Sequence, residues 1–204
     1  MSTIPAPADA IAESQRLIAA LERRRAELPF VDVVLEAHRT MHQELEVSHS
    51  SSEQAVAEWR AALARRWECE VAGRRLYRQI MRQLAEGYRT EAPAFKVISR
   101  GGAEAESSPA QLLEDLSRLQ AALSISGVSE LSRLRGRQLE ELSLELAHAI
   151  GHADSCEHRR RSSALDNRMV REVYRRVRGE TCRALVGHYG DDLPFDLRCL
   201  FEQY

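Results

Sequence analysis

Apolar residues along this chain recur mainly at intervals of three and four, the period of helices with one buried face. Ile11, Ile18, Leu21 and Leu28 form one such stripe and predict a helix over roughly 8–28, capped by Asp9 or Ser14. Pro29 interrupts it and suits the first turn of a second helix. That helix is predicted to run to about Val47 on the stripe Phe30, Val34, Ala37, Met41 and Leu45. The string SHSSSE, 48–53, reads as a turn and a new cap, with Ser50 or Ser51 starting a helix and Glu53 in its first turn.

The third predicted helix, about 53–88, is the longest. Val56, Trp59, Leu63, Trp67, Val71, Tyr77, Met81, Leu84 and Tyr88 hold its stripe, and both tryptophans read as core or interface anchors. Gly73 is its weak point and is expected to mark a bend. At about 1.5 Å per residue this helix would be about 54 Å long, more than a compact half-chain of this size covers. The uncovered apolar surface predicts a protein partner or self-association, most simply a dimer. Residues 89–109 read as a loop, with FKVI as a short extended piece and the Gly101–Gly102 pair at its centre.

The second half repeats the plan. Helices are predicted at about 109–124, 128–157 and 163–188, with SGVS as the first break. The Ala-His pairs at 37–38 and 147–148 correspond, LYRQIMRQLAEGY (76–88) resembles VYRRVRGETCRALVGHY (173–189), and YRTEAPAF (88–95) resembles YGDDLPF (189–195). Three matches in one order predict an all-α fold of about six helices. It is read as a tandem duplication of a three-helix unit with a long third helix: 1–98, a linker 99–108, and 109–204.

Composition agrees. Ala, Leu, Glu and Arg dominate, and all four are strong helix formers. The net charge of −2 argues against nucleic acid as a partner. The run HRRRSS, 158–163, continued by Arg168, Arg171, Arg175, Arg176 and Arg178, therefore reads as a solvated helix face. No uncharged run approaches the ~18 residues of a membrane span. The N-terminus lacks the basic and apolar regions of a signal peptide. Four scattered cysteines without a C-x-x-C pair read as thiols of a cytoplasmic protein.

The candidate chemistry lies in two histidine pairs. His38 and His42, and His148 and His152, stand four apart, so each pair shares a helix face, the H-x-x-x-H geometry of zinc, iron and haem sites. Glu46 extends the first row and Glu145 precedes the second. The repeat suggests that four imidazoles and two carboxylates meet in one centre, iron or zinc fitting better than haem. Two E-x-x-H strings, 46–49 and 145–148, do not fall at equivalent places in the repeat, so a ferritin-like di-iron set is not indicated. No phosphate loop, nucleophile elbow or Ser–His–Asp order is present. The sequence favours a non-catalytic helical interaction protein, an adaptor, scaffold or assembly subunit, over an enzyme. The alternative is a metal- or haem-binding bundle.

Overall fold

The computed structural model describes residues 7–87, 108–125 and 130–201. It is all-α: no strand occurs among the described residues, which form five α-helices and one 3-10 turn. We label them α1 (Pro7–Arg23), α2 (Val31–Gly87), α3 (Pro109–Ile125), α4 (Glu130–Tyr189) and α5 (Phe195–Phe201). The loop read at 89–109, the SGVS break, Tyr88 and the first partner of the YRTEAPAF match lie almost wholly outside the described residues.

The expected six helices become five because two expected breaks are helical. Residues 48–53 lie inside α2, which runs unbroken for 57 residues, and the expected boundary near 157–163 lies inside the 60-residue α4. Serine ends a helix only when its side chain recruits backbone groups at a cap. Here the Ser48 hydroxyl donates back to the Leu45 carbonyl at 3.1 Å, within the helix. No proline stands between Val31 and Gly87. The remaining boundaries follow local rules. Pro7 and Pro109 open α1 and α3, and Ser108 Oγ caps α3 by accepting from the Gln111 amide at 3.2 Å. Gly190, at φ 56°, supplies the left-handed residue that ends α4. Helix α1 stops at Arg23, five residues short of the expected end, in a turn closed by the Glu27 amide bonding to the Arg24 carbonyl.

The chain divides into two compact units, 1–57 with 159–204, and 58–158. These differ from the division at 98 and 109, because each long helix contributes to both units. A short helix followed by a long one occurs twice, α1–α2 and α3–α4.

In each unit α2 and α4 run antiparallel. In the first unit His38 meets Thr181 and Ser48 meets Asn167; in the second, Arg65 meets Glu145. Burial on both helices follows a seven-residue repeat. With Leu45 and Leu146 as a positions, the a series of α2 includes Val31, His38, Leu45, Gly73 and Ile80, all buried. The a series of α4 includes Leu139, Leu146, Ala153, Asn167, Tyr174 and Thr181, likewise buried. The e positions are mostly shielded as well, and the g and c positions are exposed at nearly every repeat.

The short helices account for that asymmetry. In the first unit α1 lies along the e positions: Leu17 and Leu21 join Leu35 and Leu185, and Glu13 pairs with Arg178. Helix α5 adds Leu197 to the same core, tied by Arg24 to Asp196 at 2.7 Å. In the second unit α3 covers the e positions. Leu112, Leu116 and Leu119 pack with Tyr77, Leu139 and Leu146. Gly73 lies within the continuous α2. It lets α3 approach, since a Cβ there would stand 3.3 Å from Leu112 Cδ2.

Candidate functional site

The histidines of the two pairs occupy different positions in the repeat. His38 is an a residue, fully buried, with Nε2 2.8 Å from Thr181 Oγ1 and its ring edge-on to Tyr174 at 6.3 Å between centroids. Nothing compensates the burial electrostatically, so it pushes the imidazole down to about 4 and keeps it neutral at physiological pH. His42 is an e residue, partly covered, with Nε2 3.4 Å from Glu46 Oε1. His148 and His152, at c and g, are exposed; His152 approaches the Cys156 thiol at 3.9 Å. Glu145 is drawn to Arg65 at 3.4 Å. The structure thus brings Glu46 to His42, and Arg65 rather than histidine to Glu145. No group of three or more His, Cys, Asp or Glu side chains arranged to hold a metal ion occurs among the described residues.

An imidazole 2.8 Å from a hydroxyl has the spacing of a base and nucleophile. His38 is 0% exposed and Thr181 4%, so no face of the pair is open to a substrate. The pair belongs to a buried polar layer of the first unit. Its other members are the Glu13–Arg178 ion pair and Asn167, which donates to Ser48 Oγ at 3.4 Å. Burial raises the Glu13 carboxyl above its usual range, and the facing Arg178 opposes that rise. Polar groups at a positions fix which residues of two long antiparallel helices meet, because a slipped register would bury them unpaired. The arginine run splits accordingly. Arg178 is largely buried on Glu13, Arg175 pairs with Glu172 at 2.7 Å, and Arg168 and Arg176 are exposed.

The uncovered edge carries the remaining candidates. In the second unit α2 and α4 enclose a groove of about 390 Å³ on the g and c side. Leu76 and Leu142 stand at d positions in it; Arg75, Gln79, Arg135, Gln138 and Glu141 surround them. Trp67, expected as a core or interface anchor, is not in the core: it is 64% exposed in this unit, and Leu144 is 58% exposed. Trp59 does reach a core, packing with Ala62, Ala153 and Cys156. Sequence reading missed the groove because its residues are mostly polar. The available signal was the spacing of Ala72, Leu76 and Gln79 against that of Gln138, Leu142 and Glu145, one edge of the repeat on each helix.

No protein-family model, curated protein or solved structure matches this chain.

Proposed function

We propose that this chain is a non-catalytic helical interaction protein, an adaptor, scaffold or assembly subunit, which binds protein along the open edge of its long helix pair. One observation carries the reading. The g and c positions of α2 and α4 are exposed at nearly every repeat, while α1 or α3 shields most of the e positions, and in the second unit the open edge forms a groove. An apolar floor with a polar rim, running along two antiparallel helices, suits an amphipathic helix laid between them with anchors at i, i+3 or i+4, and i+7. Arg75 and Arg135 against Glu141 would then set its direction by charge.

The test is site-specific photo-cross-linking in the source cells from Gln79 or Gln138, with the exposed f position Arg78 as control. A cross-linked protein is then purified and its affinity measured for the wild type and for Ala72→Arg, which fills the groove from an exposed position. The expected result is a specific adduct from Gln79 and Gln138 and at least tenfold weaker binding to Ala72→Arg. Adducts no stronger than the control, or unchanged affinity, would overturn the reading.

A further inference from the structure

The open edge of α4 in the first unit carries a stripe that is complementary to itself. Asp166, Met169, Val173 and Arg176 occupy successive g and c positions, spaced three, four and three apart, and all four are exposed. Met169 is 67% exposed and Val173 44%, large values for apolar side chains that lie side by side on a helix. Asp166 and Arg176 bracket them, and neither side chain has an ion-pair partner among the described residues. Their neighbours are different: Arg175 is paired with Glu172, and Arg178 with Glu13.

We propose that this stripe binds a second copy of the chain, α4 against α4, antiparallel about a twofold axis level with Arg171. The proposal rests on the interaction reading above and names the partner for this part of the edge. The order of the residues carries it. Reversing the stripe against itself sets Asp166 opposite Arg176 of the partner subunit, and Met169 opposite Val173 of the partner subunit. Two ion pairs then flank an apolar centre. A parallel pairing would instead set Asp on Asp and Arg on Arg. The alternation of three and four is the spacing that two helices need to interlock along a second seam.

Helix α2 contributes consistently. Its c residue Val47 is 66% exposed. The Ser48–Asn167 bond and the packing of Leu45 with Tyr174 place Val47 near the level of the axis. The same twofold would therefore lay Val47 close to its own copy and widen the apolar centre. An isologous contact of this kind closes as a dimer and exposes no further copy of the stripe.

The experiment is sedimentation equilibrium of the full chain and of Asp166→Arg, Arg176→Asp and the double swap Asp166→Arg/Arg176→Asp. All are surface changes whose folding is checked by circular dichroism. Each single variant sets two like-charge pairs in its own dimer and is expected to weaken dimerisation at least tenfold. An equimolar mixture of the two single variants restores both opposite-charge contacts and is expected to form a heterodimer as tight as the wild type. The double swap does the same as a homodimer. Single variants that dimerise like the wild type, or a mixture that stays monomeric, would overturn the proposal. So would a wild type that is monomeric at about 100 µM, a concentration high enough to populate a weak complex. If that monomer still gives a specific Gln79 adduct, only self-association fails and the interaction reading stands.

Discussion

His38 makes the stability of this fold depend on pH, with a sign and size that follow from its burial. The ring is fully buried, bonded to Thr181 and edge-on to Tyr174, and burial lowers it from 6.5 to about 4. Above pH 6.5 the imidazole is neutral in both the folded and the unfolded chain, so it adds no pH dependence. Between 6.5 and about 4 the unfolded chain takes up a proton that the folded chain refuses, so stability falls as the pH falls. Below about 4 both forms are protonated and the loss is complete. The gap of about 2.5 units, at 1.36 kcal/mol each, sets a total of about 3 kcal/mol, most of it lost by pH 4.5. The raised Glu13 carboxyl acts in the opposite direction, stabilising the fold as pH falls through its own titration. A comparison of variants removes it. Urea unfolding followed at 222 nm is measured for wild type and His38→Leu from about pH 7.5 to about pH 4.5, and the two free energies are subtracted at each pH. Losing the partner of Thr181 offsets the variant by a constant. The difference should move toward the variant by about 2–3 kcal/mol as pH falls. Parallel curves, or a His38 resonance titrating near 6.5, would refute the reasoning.

Gly73→Ala should change stability by no more than about 1 kcal/mol, since the helix-propensity gain offsets the contact with Leu112; Gly73→Ile should destabilise by about 1–3 kcal/mol by overpacking the α3 interface, both read by urea denaturation. Leu146→Ala, at a fully buried a position, should cost about 2–5 kcal/mol, whereas Leu144→Ala, two residues away and 58% exposed, should stay within about 0.5 kcal/mol. Equal costs at the two positions would contradict the assigned repeat. Purified protein should unfold at the same temperature with and without chelator and should carry no stoichiometric iron, zinc or copper by elemental analysis. A metal that disappears in the double variant His38→Ala/His148→Ala would instead support the metal-binding alternative.

Helical class was legible because it rests on local chemistry: apolar spacing, the Ala, Leu, Glu and Arg content, and the Ser108–Pro109 start of α3. The start of α3 and the end of α4 near Gly190 follow from the same rules. The serines at 48–53 misled because a serine's local effect is small, and whether it caps or continues a helix depends on what packs against it. Inside α2, the Ser48 hydroxyl bonds to the chain's own backbone and accepts from Asn167, more than a hundred residues away. The seven-residue repeat was hidden for a related reason. Its a positions include His38, Ser52, Arg66, Arg160, Asn167 and Thr181, which a hydrophobic stripe does not register. A 3.5-residue period also drifts by about 20° per heptad against a straight helix, so the apolar face of a long helix rotates when read at the straight-helix period.

The histidine pairs and the tryptophans mark the boundary of sequence reasoning. Spacing by itself established that His38 and His42 share one helix face and that His148 and His152 share another. Helix class and the facing of near neighbours were likewise determined by the sequence, because they depend on residues within two turns of one another. Whether a given face is core, covered edge or open edge depends on where α1 and α3 lie, and those helices are placed by contacts distant in sequence, such as Glu13 with Arg178. Tertiary structure therefore decided that His38 is sealed beside Thr181 while His152 is exposed, that Trp59 is packed while Trp67 is not, and that Gly73 faces the close approach of α3. The physical reason is common to all of these. A helix sets the direction of its side chains locally, but the burial that fixes their energy and chemistry is set by the partner that arrives from elsewhere in the chain.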